Sequence, residues 1–231
     1  KTRVIDKLAD GLVSLSDRRG VQRIRGRAVF EGPDRVRVHE SEVSHIKFKH
    51  AIVATGSHPI PFPAVPFKKG GRVMNSTGAL ALADIPARLL VIGGGYVGLE
   101  TGSIYASLGS RVSVVELGDR LLPGIYCDLV KPVQQRLEKM FEAIRLNTRV
   151  TFMQEHADSV EVMIEGADGT QKEQFDRVLV AIGRKPNSAG IGLEHTGIKT
   201  DERGYIVVNE QMRTADERIL AIGDEIGRAH V

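Results

Sequence analysis

At 231 residues, 42% of them hydrophobic, the chain is long enough to bury one large core or two modest ones. The 32 Lys and Arg against 29 Asp and Glu leave a formal charge of +3, and the basic stretches RIRGRAV and RVRVHE alternate cations with apolar residues as a solvated strand face does, which argues against nucleic-acid binding. A single cysteine, Cys127, excludes an internal disulfide, a CxxC pair and a cysteine-rich metal site, while no apolar run approaches the roughly 20 residues of a bilayer-spanning helix.

Val4, Ile5, Leu8, Leu12 and Leu15 recur at helical spacing and Gly20 stands where a helix would end, so residues 1–17 are predicted as an amphipathic helix. Alternating segments around Ile24–Phe30, Val36–Val38 and His45–Phe48, broken at Gly32-Pro33, lead to the apolar run Ala51–Ala54 and then Thr55-Gly56. This reads as an antiparallel meander feeding a buried strand. Four prolines between Pro59 and Pro66 predict an extended linker, with a domain boundary before Pro86. Next come strand Leu89–Ile92, a glycine turn, helix Tyr96–Leu108, strand Val112–Glu116 and a helix from about Asp128 to Phe141, a βαβ unit. Val150–Met153 and Val160–Ile164 read as strands, with Asp168-Gly169 turning into a strand Phe175–Ile182, and Ile219–Ile222 as a last strand running into Gly223-Asp224. The sequence opens at Lys1 without an initiator methionine, inside the expected helix, and is expected to belong to a longer chain with a cytoplasmic location by default.

Gly93, Gly95 and Gly98 in VIGGGYVGLE form GxGxxG directly after a strand and before a helix. In that context Gly93 permits a tight turn, Gly95 lets backbone approach a pyrophosphate, and Gly98 lets the helix pack on the sheet, so the phosphates meet free N–H groups at the helix start. Glu116 ends the second strand where an acid would accept hydrogen bonds from the adenosine ribose hydroxyls and repel a 2′-phosphate, so NAD is expected over NADP despite nearby Arg120. The same glycines would also serve a strand-turn-helix that merely packs closely, with Glu116 a solvated strand end.

VIGGGYVGLETGSIYASLGSRVSVVE, DRLLPG, DRVLVAIGRKPN and ILAIGD, in this order and spacing, resemble the flavin-dependent pyridine nucleotide-disulfide oxidoreductases, and most of all those members that oxidise dihydrolipoamide. The resemblance implies an α/β fold: a Rossmann-like parallel-sheet NAD-binding domain at 76–188, inserted in an incomplete FAD-binding domain formed by 1–75, with its meander, and 189–231. Gly93, Gly94, Gly95, Tyr96, Val97, Gly98, Leu99 and Glu100 would line the NAD pyrophosphate and nicotinamide approach, and Glu116 would hold the ribose. Val150 would offer backbone on the adenine side and Gly183 would line the nicotinamide path. Tyr96 would lie over the flavin ring, although a tyrosine packed at a helix start needs no such role, and Glu100 would face the flavin. Ala28, Thr55, Gly56 and Ser57 would touch FAD, Thr55-Gly56 through backbone, and Asp224 would do so through its carboxylate.

After Asp224 the text departs from the family's usual run, leaving His230 without a role. The family's FAD-binding GxGxxG and redox cysteine pair would precede Lys1, its His-Glu pair would follow Val231, and none of the seven histidines here matches that pair. No catalytic residue and no metal ligand is therefore expected within this chain, which alone should lack turnover. In the parent protein, dihydrolipoamide would be oxidised with NAD through FAD and the disulfide. The implied partners are a second copy of the chain and a lipoamide-bearing subunit of a 2-oxo acid dehydrogenase complex, with no membrane or nucleic acid. The alternatives are a relative with another acceptor (mercuric ion, a transhydrogenase substrate or oxygen) and a non-catalytic NAD-binding module.

Overall fold

The computed structural model describes residues 1–227, so His230 lies outside the described residues. The chain forms two compact units, Lys1–Ser57 with Pro186–Val231, and His58–Lys185. The first opens with α1 (Thr2–Arg18), which buries none of its residues. Its apolar stripe is real but faces outward, with Leu8 65% and Leu12 66% exposed. The meander follows as β1 (Arg27–Gly32), β2 (Arg35–His39) and β3 (His45–Lys47), antiparallel throughout. Pleating sends Phe30 and Val38 inward and Arg35, Arg37 and His45 outward. Ile24 precedes the first ladder pair, Arg27 with His39, so the strand is shorter than expected. In β4 (Ala51–Val53), expected to be wholly buried, Val53 is buried but Ile52 is 62% exposed.

After β5 (Ser57–Pro59) the proline-rich segment is not a linker. Phe62 bridges Val65, and both pack with Phe67 against a buried core, within the compact unit that runs from His58. Proline removes ladder donors but leaves its neighbours' side chains free to pack. The unit continues with β6 (Val73–Met74), α2 (Ser76–Ala81), β7 (Arg88–Ile92), α3 (Tyr96–Ser107), β8 (Arg111–Val115), α4 (Cys127–Met140) and β9 (Ala143–Arg145). Asn75 caps α2 by accepting the Gly78 N–H at 2.8 Å. Then come β10 (Arg149–Glu155), β11 (Val160–Gly166), β12 (Gly169–Phe175) and β13 (Arg177–Val180). The parallel sheet runs β6-β13-β7-β8-β9, and β10-β11-β12 form an antiparallel sheet.

The expected single strand Phe175–Ile182 is thus two. The polar β12 pairs back on β11, Asp176 turns the chain while its carboxylate accepts the Arg88 N–H at 2.7 Å, and β13 joins the parallel sheet. Alternation along β7 decides the layering: Leu89 and Val91 pack with Leu99, Tyr105 and Leu137 of the helices and with Phe141 just after α4, whereas Leu90 and Ile92 pack with Val162, Ile164 and Phe175 of the antiparallel sheet. Each such fully buried side chain contributes about 1.5–3 kcal/mol.

β14 (Arg184–Pro186) pairs with β5, and the return segment from Pro186 includes β15 (Ile219–Ala221), parallel to β4. Ile206, Val208, Ile219, Ala221 and Ile226 close the first unit's core over Phe30 and Val53. Phe30 meets Phe48 edge to face at 6.0 Å.

Candidate functional site

From β7 the chain passes through α3 to β8 on one side, while β13 flanks β7 on the other after the antiparallel excursion. The crevice beyond the C-terminal end of β7 is therefore a topological switch point, the place where open α/β sheets take ligands. Gly93 sits there at φ +112°, donating its N–H to Val115 at 2.8 Å, and a Cβ on it would lie 2.4 Å from the Ala181 carbonyl oxygen. A Cβ on Gly98 would lie 2.3 Å from the Gly93 carbonyl oxygen and 3.0 Å from Val91. Packing alone demands these two glycines. Gly95 is different: it caps α3 without a side-chain bond, and a Cβ on it would meet no protein atom within 4 Å. The open space lies at a helix start, where the first N–H groups lack acceptors within the helix.

Glu116 follows β8 directly. Its carboxylate accepts the Gly94 N–H at 2.5 Å and the Gly118 N–H at 2.7 Å, while its own N–H donates to Arg145 and its carbonyl accepts from Thr148. Each carboxylate oxygen keeps a further lone pair for a hydroxyl donor. The loop after it is tied back by the Leu122 N–H on the Gly94 carbonyl at 2.9 Å and by fully buried Leu121. Arg120 points its guanidinium at Cys127 Sγ, 3.2 Å away. Along α3, Tyr96 and Glu100 are exposed, Val97 is half-buried, and Gly98 and Leu99 are buried. Val150 is half-buried on β10, against the core under the antiparallel sheet, and Gly183 accepts the Ile60 N–H at 3.0 Å. The glycine turn and Glu116 are thus joined by hydrogen bonds, whereas Val150 and Gly183 stand on other elements of the same unit.

In the first unit, Ser57 Oγ donates to Asp224 Oδ2 at 2.5 Å, and Asp224 is exposed on a short 3-10 turn, Asp224–Ile226. Ala28 is exposed on β1, opposite Val38. At Thr55-Gly56, expected to offer backbone, the N–H and C=O groups already have partners within the chain. Both N–H groups are engaged by Glu225, from Thr55 to Oε1 at 2.8 Å and from Gly56 to Oε2 at 3.0 Å. Asn187 occupies the carbonyls, its side chain donating to Thr55 and its N–H to Gly56, each at 2.9 Å. Beside this turn, Ser57 and Asp224 are joined by their side chains.

The pyridine nucleotide-disulphide oxidoreductase family profile matches residues 3–230. The chain belongs to this family. Among curated relatives it is 41% identical over 230 residues to the dihydrolipoyl dehydrogenase of Vibrio parahaemolyticus, covering 99% of this chain and 48% of that protein. It is 40% identical over 228 residues to the enzyme of the same name from Bacillus subtilis, covering 98% and 48%. The chain thus spans about half the length of the curated relatives it matches. The solved structure of the HOCl-induced flavoprotein disulfide reductase RclA from Escherichia coli is similar with a TM-score of 0.76 and 32% identity, over 87% of this chain and 45% of that one.

For a pyridine nucleotide-disulphide oxidoreductase chain, the residues that sequence reasoning misses are Glu225 and Asn187. Glu225 is fully buried, an unusual place for a carboxylate. Its only signal in the sequence is an acid directly after Asp224, which reads equally well as a solvated turn. Asn187, following Pro186, likewise looks like ordinary turn chemistry.

Proposed function

We propose that the unit His58–Lys185 binds NAD and that the unit formed by residues 1–57 and 186–231 contributes part of an FAD site, in a disulfide oxidoreductase that oxidises dihydrolipoamide. The observation that carries the reading is the contrast among the glycines: Gly93 and Gly98 are forced by packing, but Gly95 faces open space at an uncapped helix start. A glycine that the fold itself does not need is accounted for by a pyrophosphate lying against it. Glu116, fixed by two amide donors, presents acceptors to ribose hydroxyls and a negative charge to any 2′-phosphate, which selects NAD.

Flavin and nicotinamide, when bound, supply the hydride and electron chemistry. The chain's own residues bind and orient. The α3 N-terminus offsets phosphate charge, and exposed Tyr96 and Glu100 occupy its first turns, on the nicotinamide side of the crevice. Asp224, held by Ser57, accepts from the hydroxyls of a ribityl chain. With the Thr55 and Gly56 N–H groups engaged by Glu225, this turn suits a polyol better than a phosphate. Dihydrolipoamide on a 2-oxo acid dehydrogenase subunit as reductant, a homodimer as the working form and a cytoplasmic location accompany this reading; among the described residues no helix is long and apolar enough to cross a membrane.

Calorimetric titration of the purified chain with NADH tests the proposal. Saturable one-site binding, lost in Gly95→Ala while the thermal unfolding midpoint stays within about 2 °C, is the expected result for a methyl placed in ligand space. Unchanged affinity in that variant sinks the assignment.

A further inference from the structure

We infer that Glu225 is a positioning residue for the flavin-side turn, serving as a built-in anion for the amide donors of Thr55 and Gly56. The inference rests on the reading of this unit as part of an FAD site. Two consecutive backbone N–H groups converging on one anion make a nest, a motif that elsewhere receives phosphates or other anions. Here the occupant belongs to the chain, with one carboxylate oxygen on each N–H, at 2.8 and 3.0 Å.

Three features show that this contact is built and not incidental. Glu225 is fully buried, and a carboxylate withdrawn from water persists only with charge-assisted partners. Its carbonyl accepts the Ile206 N–H at 2.8 Å, so its backbone is anchored in the unit's core as firmly as its side chain is anchored to the turn. Asn187 then fills the turn's carbonyls from the other side, leaving residues 55 and 56 with their N–H donors engaged and their carbonyls accepting.

The consequence falls on the neighbours. Asp224 and Ser57 are the residues immediately next to the clamp on each strand of chain, and they bond to one another at 2.5 Å. By pinning residue 225 to residues 55 and 56, the clamp sets the spacing at which Asp224 meets Ser57. The same occupation denies the turn's donors to an incoming phosphate. The turn therefore selects a hydroxylated, uncharged segment of a cofactor, and Glu225 sets that choice without touching the ligand.

The experiment uses the full chain with Glu225→Ala and Glu225→Gln, reading amide hydrogen exchange at Thr55 and Gly56 by 15N NMR alongside FAD titration by fluorescence. In the unaltered protein both amides are protected, and in Glu225→Ala their exchange rises by about tenfold or more, the loss expected for a hydrogen bond to a charged acceptor. Added acetate restores protection in Glu225→Ala and does nothing to the unaltered protein, whereas Glu225→Gln, with one acceptor oxygen, keeps one amide protected. FAD affinity follows the same order, falling about tenfold in Glu225→Ala and recovering with acetate. Amides already exchanging freely in the unaltered protein, or indifferent to Glu225→Ala, overturn the clamp. FAD affinity unchanged in Glu225→Ala with the amides deprotected overturns the positioning role. FAD bound by no variant, with the amides protected as described, overturns the role of Glu225 toward the cofactor and leaves the clamp itself standing.

Discussion

Replacing Glu116 separates two jobs that its carboxylate does at once. Its oxygens receive the Gly94 and Gly118 N–H groups at 2.5 and 2.7 Å, bonds of the charge-assisted kind worth about 1.5–3 kcal/mol each when shielded. Its charge also faces any 2′-phosphate. At 4 Å and an effective dielectric of 20 that repulsion is about 4 kcal/mol per unit charge pair. Glu116 is half-buried, so water and salt reduce the figure to about 1–2 kcal/mol, a preference for NADH over NADPH of about tenfold. Glu116→Gln keeps an acceptor for one amide and loses the charge, so NADPH should gain on NADH while the turn survives. Glu116→Ala frees both amides, so NADH affinity should itself fall, by about tenfold or more. Calorimetric titration of the three proteins with both nucleotides at one fixed salt concentration provides the measurement. Equal affinities for NADH and NADPH in the unaltered protein, or full discrimination retained by Glu116→Gln, would refute the reasoning.

Gly98→Ala should lower the thermal midpoint by several degrees, because its methyl would meet the Gly93 carbonyl at 2.3 Å and overpacking against backbone costs about 1–3 kcal/mol; an unchanged midpoint in calorimetry counts against the fit. Tyr105 donates its buried hydroxyl to the Ala79 carbonyl at 2.7 Å, so Tyr105→Phe should cost about 0.5–1.5 kcal/mol in denaturant unfolding. Burial first, then Asp84, raise the Tyr105 phenol above its ordinary 10.0, opposed by Arg177. The stability linked to it is whole below pH 10.0 and is lost as pH rises toward the folded value, because the unfolded chain ionises first. Tyr105→Phe should therefore flatten the alkaline limb of a stability-against-pH curve, and an identical limb in the variant would show that other groups cause it. With FAD and lipoamide supplied, the chain as given should show no lipoamide-dependent NADH consumption, since Cys127 is its one cysteine and a dithiol cycle needs two thiols; steady consumption in pure protein would contradict this.

The second unit was legible where one local pattern carries several constraints together. A strand, a turn whose glycines each have a steric task, and a helix must follow in that order, so Gly93, Gly98 and Glu116 could be placed from spacing alone. Legibility failed where tertiary packing overrides local pattern. The prolines from Pro59 to Pro66 announce extended chain correctly, yet Phe62, Val65 and Phe67 pack on a core that only the folded sheet provides. The β12 segment GTQKEQF lacks the alternation that marks a strand, because it lies at the edge of its sheet and buries only Phe175. Ile52 misleads in the other direction: an apolar residue in an apolar run, it stands 62% exposed on a strand that, among the described residues, pairs with β15 alone.

Glu116 and Glu225 make the same pair of bonds, one carboxylate to two backbone amides, and differ in what burial leaves over. Glu116 is only half-buried, so in the proposed reading one residue both shapes the turn and meets the ribose hydroxyls. Glu225 is fully buried, so its acceptors serve the turn, and in the proposed reading recognition falls to exposed Asp224 beside it. At Glu116 both effects therefore sit on one side chain, and only the contrast between Glu116→Gln and Glu116→Ala divides them. At Glu225 and Asp224 those effects fall on different side chains and can be separated by single variants. Sequence reasoning could single out the first acid because it follows a strand at a set spacing from the glycine turn, and it missed the second because a purely internal acceptor has no spacing to obey.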